Sequence, residues 1–292
     1  MTLPERLEGA TLDGRGRAAA VTPHILASEA AVAILEQGGN AADGAIAANA
    51  VLGVVSPEAC GIGGDLFALV HTPGDAVPAT LNSSGRAGQG AKASIIRDQG
   101  HETIPIDSPF AVTVPGCVDG WLAISSRFGS MPMATVLDAA INHAREGFAA
   151  TPELSSSLTR LADVLSPQPA AAGLYPNGTP PAPGDHLTRP TLARTLSDIG
   201  SAGRPGFYEG PVADAIVAAT GGVLRHEDLN LQQGHWVDPI AVDVMGLTAW
   251  TIPPNSQGYL ALAAAWIFEQ LAPPHDPTDP RFSHAAIEAF RA

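Results

Sequence analysis

The chain has 292 residues, enough for one large domain or two modest ones, and its 45% hydrophobic content is that of a globular protein rather than a disordered one. Acidic residues number 29 against 15 basic, a formal charge of −14, and no run of Lys or Arg offsets the excess. Such a surface repels phosphate backbones and anionic lipid headgroups, which argues against a nucleic acid or a membrane surface as partner.

The first residues, 1–16, hold Glu5, Glu8 and Asp13 and no apolar run, so no signal peptide is expected there. No stretch reaches the uninterrupted apolar length that spans a bilayer, and the expectation is a soluble, cytoplasmic protein. Residues 18–22 are short, apolar and small, which predicts a strand. Ser28 is placed to cap a helix that Gly38-Gly39 stops. Asn40, with Asp43 three residues on, is a capping-box pair for a helix over 41–55 that is apolar nearly all round and so expected to be buried on several sides. Ser56-Pro57 ends it. Leu66 to Val70 reads as a buried strand, Thr80-Leu81 as part of another, and 111–114 as a third closed by Pro115-Gly116. From there the spacing turns helical, over 118–127, 134–146, 153–164, 190–199, 211–219 and 258–271. Residues 166–185, rich in Pro, Gly and Ala, read as a long surface excursion within a single domain 1–292. Val237 to Ile252 looks like two strands joined at Gly246. A last helix, capped at Ser283, runs to Ala292 without a Gly or Pro stop, which raises the expectation that the reading frame continues.

Few of the familiar chemical signatures are present. Gly61-Ile62-Gly63-Gly64 sits between a helix and a strand, the reverse of the strand–turn–helix order of phosphate-binding loops, so close backbone approach is the expected reason for it. There is no Gly-x-Ser-x-Gly elbow and no His-x-x-x-His pair, and neither Cys60 nor Cys117 stands at metal-ligand spacing. The two cysteines are expected as reduced thiols, with one disulfide between them left open. Glu227-Asp228 is placed at a helix N-terminus, where carboxylates favour the dipole. One polar segment stands out, Asn82-Ser83-Ser84-Gly85-Arg86 at a strand end. An Arg beside hydroxyls and an amide can hold a carboxylate through paired N–H donors. The alternative is a turn whose Arg is solvated or structural, and position alone favours it.

The order of motifs carries more. Pro23-His24, Leu26-Ala27-Ser28-Glu29-Ala30, Ile34-Leu35 and Gly38-Gly39-Asn40-Ala41-Ala42-Asp43-Gly44 are followed in register by Gly53-Val54-Val55-Ser56-Pro57 and Gly61-Ile62-Gly63-Gly64-Asp65-Leu66-Phe67. Further on come Val114-Pro115-Gly116-Cys117-Val118, Gly120-Trp121, Arg127-Phe128-Gly129, Glu146-Gly147-Phe148, Gly206-Phe207-Tyr208-Glu209-Gly210, Gly221-Gly222, Glu227-Asp228-Leu229 and Pro253-Pro254-Asn255-Ser256-Gln257-Gly258. Together they resemble the large-subunit portion of the gamma-glutamyltranspeptidase family. The resemblance implies an α+β fold, the αββα sandwich of N-terminal-nucleophile hydrolases, with a helix-rich large subunit contributing part of two antiparallel sheets. It implies a precursor that cuts itself, and a small-subunit partner whose N-terminal Thr forms an acyl-enzyme with a small-molecule amide. It implies no metal and no other cofactor.

No catalytic residue is then expected in this chain, since no Thr-Thr-His-type start occurs in it and Thr2, followed by Leu3-Pro4-Glu5, lacks the strand-like alternation such a nucleophile needs. The substrate-binding candidates are Asn82, Ser83, Ser84 and Arg86. Where the family carries an Asp-Phe-Arg-Glu-like segment this chain has Asn82-Ser83-Ser84-Gly85, with Arg86 two places beyond the usual Arg. That departure points to the acylase-like and hydrolase-like branch. The alternatives are a true gamma-glutamyl transferase using Arg86 and a non-catalytic shell.

Overall fold

The computed structural model describes residues 18–105 and 107–292. The expectations placed on residues 1–16 and on Thr2 lie outside the described residues. The chain divides into two compact units, one made of residues 1–60 and 125–201, the other of 61–124 and 202–292.

The first unit is mostly helical, with one short ribbon in which Phe148–Ala149 pairs with His186–Leu187. Its first helix is Ile25–Glu36, and the cap is His24 rather than Ser28. The His24 ring accepts the Leu26 N–H through Nδ1 at 3.2 Å, while the Ser28 hydroxyl is occupied with Thr22 Oγ1 at 2.8 Å. Residues 18–22 form no strand. The helix ends as its glycines dictate: Gly38 takes a φ of +93°, and the Gly38 and Gly39 N–H groups return to the Leu35 and Ile34 carbonyls.

Asn40 opens the next helix, Ala41–Val55, with the expected capping box. Eleven of its fifteen residues are buried. Asp43 does more than close the box. Its carboxylate also accepts the Ser130 and Met131 N–H groups and the Ser130 hydroxyl, and Asn40 Nδ2 donates to the Phe128 carbonyl at 2.6 Å. At the far end, Arg189 donates to the Gly53 and Val54 carbonyls. Apolar packing and these ties make this helix the centre of the unit.

The stretch expected as one helix over 134–146 is two, Met133–Val136 and Asp138–Glu146, meeting at Leu137. Likewise 153–164 resolves into Pro152–Arg160 and Ala162–Leu165. The Pro-rich excursion runs through 3₁₀ turns, and Tyr175 anchors it by donating its buried hydroxyl to the Leu158 carbonyl at 2.8 Å.

The second unit holds a three-stranded antiparallel sheet. The central strand Ala79–Ser83 pairs with Leu66–Val70 on one side and His235–Val237 on the other. Leu66–Val70 is only half-buried, with Leu69 exposed. Residues 111–114 form no strand; a single bridge joins Thr113 to Ala87. A separate ribbon, Ile240–Val244 with Leu247–Thr251, turns at Met245-Gly246, both at positive φ as a tight hairpin requires. Helices Gly258–Gln270 and Pro280–Arg291 complete the unit, the second capped by Asp279 rather than Ser283. The α+β class is therefore as expected. Cys60 and Cys117 are not joined by a disulfide, the option the sequence had left open.

Candidate functional site

The polar segment Asn82 to Arg86 leaves the end of the central strand, and strand alternation sorts its side chains. Leu81 and Ser83 point into the core and are fully buried. The Ser83 hydroxyl donates to the Gly116 carbonyl at 2.6 Å, so this expected binding residue is engaged in holding the backbone together. Gly116 is required there, because a Cβ would stand 2.0 Å from the Ser83 carbonyl oxygen. Asn82 is on the other face, where the register sets it directly across from His235.

Asn82 and Ser84 come together with a residue that the sequence did not mark as a binder. Asn82 Nδ2 donates to Asn255 Oδ1 at 3.0 Å, and Asn255 Nδ2 donates to Ser84 Oγ at 2.7 Å. The Ser84 N–H donates to Asn82 Oδ1 at 3.1 Å. As an acceptor from Asn255, the Ser84 hydroxyl keeps its own proton to offer.

Arg86 turns the other way. Gly85 makes that possible with a φ of +77°, passing so close to the chain that a Cβ would be 1.8 Å from the Val114 carbonyl oxygen. The exposed guanidinium reaches His235 Nε2 at 2.9 Å and, at 3.4 Å, the Gln232 carbonyl. Because an Arg only donates, His235 accepts through Nε2 and carries its proton on Nδ1. Among the described residues no carboxylate pairs with Arg86. Its charge is thus open to an anion.

Beneath the segment is a buried polar group. Asp119, in the first turn of the helix Cys117–Phe128, accepts Arg204 Nε at 3.0 Å and the Gln233 N–H at 2.8 Å. Arg204 lies over the Tyr208 ring, 4.3 Å from its centroid, and donates to the Leu229 and Leu231 carbonyls. Burial, reinforced by the Asp119 charge, pushes the Tyr208 phenol far above its ordinary range, so it stays a neutral donor, here to the Pro115 carbonyl at 2.8 Å.

The glycine cluster meets its expectation only in part. A Cβ on Gly61 or Gly63 would meet nothing within 4 Å, and only Gly64 is approached closely, its Cβ position standing 3.3 Å from the Gly61 carbonyl oxygen. The Gly64 carbonyl accepts the Gly116 and Cys117 N–H groups at the start of the helix Cys117–Phe128. Asp228 accepts the Arg225 N–H at its own helix start and the Gln89 N–H, a structural role in keeping with the sequence. No cluster of three metal-ligating side chains occurs among the described residues. None of the helices among the described residues is long and apolar enough to cross a membrane.

Comparison with known proteins assigns the chain to a family. The chain is 36% identical over 256 residues to a glutathione hydrolase-like proenzyme of Bacillus subtilis, covering 85% of this chain and 48% of that protein. It is 34% identical over 283 residues to the oxamate amidohydrolase proenzyme of Klebsiella pneumoniae, covering 93% and 53%. Among solved structures, the cephalosporin acylase of Bacillus halodurans superposes with a TM-score of 0.84 at 32% identity, covering 96% of this chain and 56% of that one. The chain thus spans about half the length of the curated relatives it matches. The profile of the gamma-glutamyltranspeptidase family matches residues 27–292, and the chain belongs to that family.

Proposed function

We propose that this chain is the large-subunit part of a two-subunit amidohydrolase or acyltransferase of the N-terminal-nucleophile type. The single observation that carries the reading is the family match over residues 27–292, shared with relatives named as proenzymes of which the chain covers about half. In this reading a small subunit supplies an N-terminal Thr. Its hydroxyl adds to the amide carbonyl while its own amino group takes the proton, and the amine leaves with that proton. Backbone N–H groups hold the oxyanion, and water or a second amine then takes the acyl group. The three-stranded sheet of the second unit is this chain's contribution to the two-sheet sandwich, and both compact units belong to one large subunit. A cytoplasmic location is part of the same proposal, in keeping with two cysteines that form no disulfide.

The acyl group we assign to this enzyme is small and anionic. Arg86, without a carboxylate partner among the described residues, supplies the charge, and Asn82 and Ser84 supply neutral polar contacts nearby. The Klebsiella relative's name, an oxamate amidohydrolase, supports a short anionic amide. The second reading, a gamma-glutamyl transferase, rests on the same Arg86 meeting a longer acyl chain.

Two measurements test this. Intact mass and N-terminal sequencing of the complete gene product should give two fragments, the second beginning with Thr; a single uncut chain would sink the enzyme reading and leave a non-catalytic shell. Turnover of oxamate compared with gamma-glutamyl-p-nitroanilide then separates the two substrate readings.

A further inference from the structure

We propose that Gln233 is a positioning residue for anion recognition: braced by the buried Asp119–Arg204 pair, it fixes the backbone of Arg86 so that the guanidinium meets the carboxylate of the acyl group. The inference rests on the reading of Arg86 given above.

The geometry is specific. Gln233 is buried, 3% exposed, and its backbone N–H and both ends of its side-chain amide are hydrogen-bonded. Its backbone N–H donates to Asp119 Oδ2 at 2.8 Å, its Oε1 accepts the Arg86 N–H at 3.1 Å, and its Nε2 donates to the Leu231 carbonyl. With one end of the amide accepting and the other donating, the side chain has a single orientation that satisfies both. Asp119 is itself 2% exposed and held by Arg204, which is partly exposed, so the bracing is ionic and its acidic half is buried. A buried ion pair of this kind contributes little net stability and is better explained by what it holds in place.

What it holds is the backbone of Arg86 at its N–H, while the Val114 N–H holds the Arg86 carbonyl at 2.9 Å. Arg86 is exposed, and two of its five guanidinium N–H groups are engaged, by Gln232 and His235. Gln232, Gln233 and His235 all belong to one short stretch, so the segment that anchors the Arg86 backbone also aims its head. Three N–H groups remain for a ligand, enough for a two-point grip on a carboxylate. A shift of about 1 Å in such a group is enough to weaken recognition steeply.

The test uses the processed two-subunit product of the complete gene and two amides: glutaryl-p-nitroanilide, whose acyl chain ends in a carboxylate, and butyryl-p-nitroanilide, which lacks it. Gln233→Met should raise KM for the glutaryl amide about ten-fold, with kcat and both constants for the butyryl amide nearly unchanged. Gln233→Asn keeps both an acceptor and a donor on a side chain one carbon shorter and should leave the glutaryl KM between that of Gln233→Met and that of the unaltered enzyme. Arg86→Ala should raise the same KM at least as far. If Arg86→Ala raises it and Gln233→Met does not, the positioning role falls and the Arg86 reading stands. If Arg86→Ala changes nothing, both fall. Equal slowing of both substrates by Gln233→Met, or loss of the folded protein in both Gln233 variants, would make Gln233 a structural residue and overturn the proposal. Should neither amide be turned over, calorimetric titration with glutarate replaces the assay, and absence of binding to the unaltered enzyme overturns it as well.

Discussion

Gly85 shows how much one residue can be asked to do. It takes a left-handed φ of +77°, and a Cβ there would collide with the Val114 carbonyl at 1.8 Å. Gly74 also has a positive φ, +98°, but a Cβ on it would meet nothing within 4 Å. The two separate conformational cost from collision. Gly74→Ala should cost about 1 kcal/mol, whereas Gly85→Ala should cost about 3 kcal/mol or more and displace Arg86. Urea denaturation midpoints of the two variants check this; equal costs would mean that backbone conformation, and not the Val114 contact, is what Gly85 is there for. The candidate site was half legible at this scale. A polar run at a strand end marked Asn82, Ser84 and Arg86 as a group. Alternation alone could have set Ser83 apart, since it follows the inward-facing Leu81 by two. Asn255 and Gln233 could not be read, because they lie 173 and 147 residues from their partners in the sequence and neither type carries a signature of its own.

At the scale of elements, capping chemistry separates what the sequence disclosed from what it did not. Asn40 and Asp43 were readable because both are good caps at the right spacing. Asn40→Ala should cost about 1–2 kcal/mol, and more than a surface cap would, since it also ends the bond to the Phe128 carbonyl. The helix Ile25–Glu36 was misplaced at its start because His is a poor predictor of a cap; only its ring in the neutral form can accept the Leu26 N–H. That makes the cap sensitive to pH. Burial holds the His24 imidazole below its ordinary pKa, against the Glu58 and Glu153 charges and with the His143 ring adding to the lowering. A lowered His pKa means the unfolded chain binds more protons, so this contribution is complete above about pH 6.5 and is lost as pH falls through the folded value. Melting temperature should therefore drop from pH 7 to pH 5. His143, also lowered by burial, adds to the same slope. His24→Asn, a cap that does not titrate, should leave a shallower slope, and an unchanged slope would remove His24 from the account. Strand ends and helix breaks were less legible. Residues 18–22 and 111–114 have strand composition but lack partner strands, and pairing rather than composition makes a strand.

On the scale of the whole chain, the order of residues and the order of packing disagree. Each compact unit is assembled from two separated stretches, 1–60 with 125–201 and 61–124 with 202–292. The ties within each unit span those stretches. In the first, Asp43 binds Ser130, and Arg189 closes on Gly53 and Val54. In the second, the central strand Ala79–Ser83 needs His235–Val237 as neighbour, and the Asp119 carboxylate needs Arg204 and Gln233. A fragment of residues 1–129 contains the helix Ala41–Val55, the strands Leu66–Val70 and Ala79–Ser83, and Asp119, yet lacks every one of these partners. It would leave the Asp43 and Asp119 carboxylates without their distant donors, a loss of about 3–5 kcal/mol for breaking the buried Asp119–Arg204 pair alone, against a typical total stability of about 5–15 kcal/mol. The fragment should retain helical circular dichroism without a cooperative thermal transition, and mixing it with residues 130–292 should restore one. A sharp melt of the fragment alone would show that local packing within the first stretches, and not their return partners, holds each unit together.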